Sequence, residues 1–159
     1  MRLFRLLPRC LLALSIGRAE VDLVRVWPGY REAGSFVGIG EYFGQPESTG
    51  NRVVWRSQPA SRGGYYWLIR ARSDVAVPEA TVEIAVIRPG QTDPEFHRFQ
   101  AELPAARSVV LLPGLTGGDW PDAAVRPLAW RIRILDSTGT ARAVERSFLW
   151  SLPEAATPE

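Results

Sequence analysis

The sequence predicts an all-β protein that folds as a single antiparallel β-sandwich of seven or eight strands. Short apolar runs are separated by proline, glycine and aspartate, which is typical of strands and turns. Several runs alternate apolar and polar residues, which is the period of a half-buried strand. A length of 159 residues with 46% hydrophobic content suits one domain with a real core.

Eight runs have the length of strands, and several follow one another at intervals of roughly 8–12 residues, as in sandwiches. They are Val21–Trp27, Arg52–Ser57, Tyr65–Arg72, Thr81–Ile87, Glu95–Leu103, Ser108–Leu112, Leu128–Leu135 and Thr140–Trp150. Most prolines fall between the runs, where a missing N–H breaks no ladder. These are Pro78, Pro89, Pro94, Pro104, Pro113, Pro121 and Pro127, while Pro28-Gly29 is expected to end the first run.

The seventh run shows the alternation most clearly. Trp130, Ile132 and Ile134 share one face of this strand, and Arg131 and Arg133 share the other. Because side chains alternate across a strand, the apolar set belongs to the core. The run 81–87 has the same pattern, which predicts that the two strands contribute to one core.

Turn residues predict two antiparallel pairs. Asp136 starts a type I turn and Gly139 takes the left-handed position after it, so the last two strands form a bulged hairpin. Arg52–Ser57 and Tyr65–Arg72, linked by 58–64, are expected to form the second antiparallel pair. In strand number and turn spacing alone, the pattern resembles immunoglobulin-like and fibronectin type III-like sandwiches, although the Cys…Trp…Cys signature is absent.

The segment 35–43 does not read as a strand. Phe36, Ile39 and Tyr42 recur at helical spacing, and Ser35 is a candidate cap. A strand would bury Glu41, while two glycines weaken a helix by ~1 kcal/mol each. We therefore expect a short helix or an irregular turn here.

The N-terminal residues 1–19 are expected to be a bacterial export signal. A positive leader, a short apolar run and small residues follow one another in that order. Cleavage is expected after Gly17 or Ala19, and Cys10 lacks the small residues that lipidation requires before it. Residues 20–150 then form the sandwich domain, and 151–159 are expected to be a disordered tail.

The charge balance changes when the leader is removed. The whole chain has formal charge +2, and its basic residues are all arginine, with one cysteine and one histidine. Without residues 1–19, four arginines and the cysteine are lost, which leaves two net negative charges. Nucleic acid is therefore not an expected partner, and disulfides, Cys/His zinc sites and lysine chemistry are excluded for the mature chain.

Three motifs could indicate nucleotide binding, catalysis or metal binding, but in each case the residues are better explained by a structural role. Gly38, Gly40 and Gly44 do not match a nucleotide-binding spacing. His97 shares the apolar side of its strand and has no evident nucleophile, so we expect it to be half-buried and structural. The carboxylates of Asp119 and Asp122 could bind Ca²⁺, but their spacing matches no EF-hand loop. We therefore favour a turn in which Asp119 bonds to the backbone and Trp120 closes one end of the core. No catalytic residue, cofactor or metal is predicted.

Arginine and tryptophan side chains are the best candidates for an interaction surface. Arg52 and Arg56 share a face of one run, and arginines also share a face with Tyr66 on the next. A solvated sheet face with cross-strand glutamate partners such as Glu83, Glu102 and Glu145 is favoured over an interaction surface for these arginines. The candidate surface comprises Arg52, Arg56, Tyr66, Arg70, Arg72 and Trp120.

The six tryptophans suggest a carbohydrate-binding alternative. Trp55, Trp67 and Trp130 are expected in the core, whereas Trp27, Trp120 and Trp150 flank strand ends and are better candidates for exposure. Core or end-plug roles are nevertheless favoured for these three tryptophans as well. The function we expect is an exported, non-enzymatic sandwich that binds a protein or a cell surface. A carbohydrate-binding module is second, and a small hydrolase is third because neither nucleophile nor base is identifiable.

Overall fold

The structure, a computed structural model, describes residues 21–150 of the chain. The expected export signal at 1–19 and the expected tail at 151–159 lie outside these residues. All eight predicted strands are present, with some ends shifted. They are β1 Val21–Arg31, β2 Arg52–Arg56, β3 Gly64–Ser73, β4 Val77–Ile87, β5 Glu95–Leu103, β6 Arg107–Thr116, β7 Ala129–Leu135 and β8 Ala141–Arg146.

The strands form two packed four-stranded sheets, which confirms the all-β sandwich. Sheet A has the order β1-β3-β6-β2, and sheet B has the order β5-β4-β7-β8. Every pairing is antiparallel except that of β2 with β6, which is parallel. The expectation of a purely antiparallel sandwich is therefore wrong at one edge of sheet A.

The expected antiparallel pair of β2 and β3 is also wrong. β6 lies between them, with Arg52 opposite Val110 and Arg56 opposite Gly114 in the β2–β6 register. The segment after β2 therefore carries the chain across β6, so that β3 starts on its far side. No turn residue in this segment distinguishes a crossing connection from a hairpin loop.

Three prolines lie inside strands rather than between them. Pro28 lies in β1, Pro78 in β4 and Pro113 in β6. β1 is an edge strand of sheet A, where a missing N–H is tolerated. The β3–β6 register passes directly from Tyr66–Gly114 to Ile69–Leu111, so the ladder is interrupted opposite Pro113.

The core lies between the sheets and is formed by the side chains that alternation predicted. Ile132 and Ile134 of β7 are fully buried against the corresponding residues of β4. Trp67 is fully buried, while Trp55 and Trp130 are partly buried against the same cluster. The prediction that these three tryptophans belong to the core is confirmed.

The segment 32–51, here called the covering segment, contacts the outer side of sheet A. It contains two short 3-10 turns, Ala33–Phe36 and Ile39–Phe43, rather than one helix. Ser35 caps neither turn, since its hydroxyl donates to the Glu32 carbonyl at 2.7 Å. The prediction of a short helix or an irregular turn, and not a strand, is therefore confirmed, although the single helix is replaced by two 3-10 turns.

The hairpin between β7 and β8 is confirmed with its bulge. Gly139 has φ of 80°, and the register shifts between Ile134 and Leu135. The Asp136 carboxylate accepts hydrogen bonds from the backbone N–H groups of Thr138 and Thr140, at 2.9 Å each. Asp136 therefore organises the turn that follows it, as its position predicted.

The chain folds over the outer side of sheet B after β8. Trp150 is buried against Ala85, Ile87 and Ala129, and the Arg131 guanidinium lies 4.9 Å from its ring centroid. Trp150 therefore has the buried role that was favoured over exposure. Among residues 21–150, no helix has the length and apolar character needed to cross a membrane.

Candidate interaction site

Four exposed arginines lie on the outer side of sheet A, and we call them the arginine face: Arg25, Arg52, Arg70 and Arg72. The strand registers place Arg25 opposite Arg70, Arg70 opposite Val110, and Val110 opposite Arg52. One row across all four strands thus carries three of the arginines. Arg72 lies in the next row, between Asp22 and Ser108.

The arginine face is exposed and has no acidic partners within the described chain. All four side chains belong to exposed residues. Among residues 21–150, no carboxylate approaches any of these guanidinium groups within 4.0 Å. Directly opposed like charges are unfavourable on a sheet, so the Arg25–Arg70 pair costs stability unless an anion compensates it.

Trp27 lies beside the arginine face on β1. It is 45% exposed, and the Arg25 guanidinium lies 4.5 Å from its ring centroid. Stacking on the ring restricts the guanidinium while leaving its N–H groups available. Of the three tryptophans at strand ends, Trp27 is the one that is exposed.

Arg56 and Tyr66 do not belong to the exposed surface. Arg56 forms two hydrogen bonds with the Glu47 carboxylate, and its Nε lies 3.3 Å from the Tyr66 hydroxyl. Tyr66 is fully buried, and its hydroxyl donates to the Arg62 carbonyl at 2.7 Å. These contacts attach the covering segment to sheet A, so the two residues are structural.

Aromatic packing completes this attachment. The ring of Phe36 lies 4.9 Å from that of Tyr66, and the Arg56 guanidinium lies 5.1 Å from the Phe36 centroid. The hydrogen bonds from Arg56 hold the pKa of Glu47 below its usual range. Burial raises the pKa of Tyr66, so its hydroxyl remains a neutral donor at ordinary pH.

The second 3-10 turn, Ile39–Phe43, exposes large apolar side chains, and we call it the apolar turn. Ile39 is 80% exposed, and Tyr42 and Phe43 are each 79% exposed. The turn is tied back by Glu41, whose carboxylate accepts from the Gly38 N–H at 3.0 Å and pairs with Arg62 at 2.7 Å. Of the three apolar residues that recur at helical spacing, Phe36, Ile39 and Tyr42, only Phe36 packs against the sheet.

Trp120 lies at one end of the core, away from the arginine face. It is 1% exposed, and its ring lies 4.9 Å from that of Tyr65. The prediction that it plugs the core is confirmed, and its proposed place in an exposed patch is wrong. The Arg88 guanidinium lies 4.6 Å from its ring and donates to the Asp119 carbonyl.

The polar residues near this end have structural contacts. Asp119 Oδ1 accepts from the Gln58 side chain at 3.3 Å, and Asp122 Oδ1 accepts from the Ala124 N–H at 2.8 Å. His97 is half-buried, with Nε2 3.8 Å from the Glu95 carboxylate, and burial lowers its pKa. No cluster of three potential metal ligands occurs among residues 21–150.

The arginines of sheet B are paired differently. Arg133 and Arg98 donate to the two carboxylate oxygens of Glu83, each with an Nε contact of 2.9 Å. Glu83 is only 1% exposed, and burial pushes its pKa up, but these hydrogen bonds outweigh burial and hold it below the usual range. This face therefore matches the alternative of a sheet face with glutamate partners.

Two parts of the site are not evident from the sequence. The position of Arg25 on the outer side depends on a register shift between Leu23 and Arg25, which changes which residues of β1 face outward. The helical spacing of Phe36, Ile39 and Tyr42 gives no sign that the last two are exposed. Gly38, Gly40 and Glu41 are the residues in this segment that argue against a packed helix.

Comparison with known proteins gives no match: no family model, no curated protein and no solved structure is similar to this chain. The function therefore has to be inferred from the geometry and charge of the described residues.

Proposed function

We propose that the chain is an exported, non-enzymatic binding protein whose arginine face binds an anionic partner at a cell surface or on another protein. The observation that carries the proposal is the row of Arg25, Arg70 and Arg52, which is exposed and lacks acidic partners among residues 21–150. We infer export from the leader pattern of residues 1–19. The immunoglobulin-like shape and the bacterial source are likewise inferred from the sequence.

Guanidinium chemistry supports an anionic partner. Each arginine has a planar set of five N–H donors that match a carboxylate, sulfate or phosphate in a bidentate geometry. The only acid in these rows is Asp22, which lies opposite Arg72. Four guanidinium groups and one carboxylate leave three net positive charges on this surface.

The opposed arginines support a binding role over a purely solvated face. On sheet B, a buried glutamate neutralises two neighbouring arginines. On sheet A, Arg25 and Arg70 face each other across the strands without such a partner among the described residues. An anion seated between them removes this repulsion, so binding also stabilises the fold.

The proposal is tested with two soluble polyanions, poly-L-glutamate and dextran sulfate, at low ionic strength. Affinity is measured by calorimetry for the full chain and for Arg70→Glu. We expect a loss of about three- to tenfold, since a reversed surface charge changes binding by roughly 1 kcal/mol. Binding should also weaken as salt is added.

Arg146→Glu is the matched control. Arg146 is exposed, lies on a strand and is opposed by another arginine, Arg131, but it belongs to sheet B. Both substitutions change the net charge by the same amount. Equal losses in Arg70→Glu and Arg146→Glu mean that total charge governs binding, and the proposed site is then wrong.

Carbohydrate binding is the second candidate, and the exposure of Trp27 is the observation that favours it. Arg25 covers part of this ring, so the platform suits an acidic sugar better than a neutral one. Trp27→Ala should reduce binding of an acidic polysaccharide such as alginate. If the folded variant binds alginate as the parent chain does, this candidate is rejected.

A further inference from the structure

The apolar turn and the arginine face lie on the same side of the molecule. Phe36 precedes the turn and packs on Tyr66, while Glu47 follows it and pairs with Arg56. The side chains of Tyr66 and Arg56 point outward from sheet A, in a row of the sheet that also contains Gly114. The turn between these two attachment points therefore emerges on the outer side.

The turn is held in place although its apolar side chains are exposed. Gly44 has φ of 78° and ends the turn, and Glu41 links it to Arg62 at 2.7 Å. Phe36 and Glu47 attach it on both flanks. A fixed turn loses little conformational freedom on binding, which favours its use as an insertion element.

The charges beside the turn do not oppose an anionic surface. Glu41 and Glu47 are paired with Arg62 and Arg56, and these arginines hold the pKa of both carboxyls below the usual range. Hence the acids nearest the turn are neutralised as ion pairs. The exposed charges of the rows beside it are the four guanidinium groups of the arginine face and the carboxylate of Asp22, which leave a net positive charge.

We propose that the anionic partner is a lipid bilayer: the apolar turn inserts Ile39, Tyr42 and Phe43 at headgroup depth, and the arginine face contacts lipid phosphates. This inference rests on the proposed function, because it names the partner of the same face. Stable attachment to a membrane takes an apolar and an electrostatic contribution, and this side of the molecule supplies both. A protruding turn needs no complementary pocket in lipid, and aromatic side chains favour the membrane interface.

The first experiment measures sedimentation of the full chain with phosphatidylcholine vesicles, with and without phosphatidylglycerol. We expect binding that requires the anionic lipid. The triple variant Ile39→Ser/Tyr42→Ser/Phe43→Ser should reduce partitioning by at least about tenfold. Phe148→Ser is the matched control, because Phe148 is 100% exposed yet follows β8 of sheet B.

The second experiment reads the turn directly. A polarity-sensitive fluorophore is attached to Phe43→Cys, or to Phe148→Cys, in a Cys10→Ser background that removes the chain's single native cysteine. We expect a blue shift on anionic vesicles for the label at 43 and none for the label at 148. This measurement remains informative if the triple variant fails to fold.

The possible failures are distinguishable. If the triple variant sediments like the parent chain, or if the label at 43 does not shift, insertion of the turn is wrong even where Arg70→Glu weakens polyanion binding. Binding to poly-L-glutamate without binding to vesicles identifies an acidic protein as the partner and overturns the lipid inference. If Arg70→Glu and Arg146→Glu lose polyanion binding equally, the proposed function itself fails.

Discussion

Gly114→Ala should release the covering segment from sheet A. Gly114 lies opposite Tyr66 in the β3–β6 register, and the Tyr66 ring packs directly over it. A Cβ added at this position would overlap the ring, with the Tyr66 Cζ only 2.7 Å away. The nearby backbone belongs to a paired strand, so the ring has to move and its contacts with Phe36 and Arg56 are lost.

The cost follows from overpacking. Adding one methyl to a packed site costs about 1–3 kcal/mol in free energy of unfolding. For a domain of 150–250 residues, each kcal/mol lowers Tm by roughly 2–4 °C. We therefore expect Gly114→Ala to lower Tm by about 2–12 °C, measured by circular dichroism, and to accelerate limited proteolysis within the covering segment.

Gly29→Ala is the matched control. Gly29 lies in the same row, opposite Tyr66 from the other side, and an added Cβ would meet nothing within 4 Å. Its Tm and proteolysis pattern should match those of the parent chain. If Gly114→Ala is as stable and as resistant to proteolysis as Gly29→Ala, the described packing of Tyr66 is refuted.

Three further predictions concern single ionisable groups. Glu83→Gln should lower the free energy of unfolding by about 1–3 kcal/mol in urea denaturation, because the amide keeps only one of the two acceptor oxygens and carries no charge. An unchanged stability would contradict the pairing with Arg98 and Arg133. Burial lowers the pKa of His97 from 6.5, so the unfolded chain protonates first and stability falls as pH drops through 6.5. His97 is the only histidine, so His97→Gln should abolish the difference in stability between pH 7.5 and 5.5, and a persistent difference would refute this assignment. Hydrogen bonds in the hairpin lower the pKa of Asp136 to about 2, so its contribution is present above 3.8 and is lost as pH falls through 2. Asp136→Asn should lose less stability than the parent chain across this range in acid-unfolding curves, and identical curves would contradict the prediction.

The strands were predictable because the alternation of β4 and β7 is a local property of the chain. The hairpin at Asp136–Gly139 was predictable for the same reason, since its turn residues act on their own backbone. The partner of β2 was not predictable, because pairing depends on the path of the loop and on long-range contacts. Which of the three tryptophans at strand ends is exposed was not predictable, because a position at a strand end does not show whether a neighbouring loop covers it.

The candidate site was predictable only in part. Arg52, Arg70 and Arg72 do share an exposed face, as the alternation of β2 and β3 indicated. Arg56 lies on the same side of the sheet but is held by Glu47, which belongs to the loop that precedes β2. Tertiary pairing of this kind leaves no periodic signal, so the sequence could not separate the exposed arginines from those held in structural ion pairs.

Binding at the arginine face can be observed residue by residue by NMR titration of the arginine Nε–H groups. The labelled full chain is titrated with poly-L-glutamate, and the resonances of both sheets are followed together. We expect shifts to concentrate at Arg25, Arg52 and Arg70 on the outer side of sheet A. Shifts concentrated instead at Arg98 and Arg146 on sheet B, or spread evenly over all arginines, would contradict this expectation.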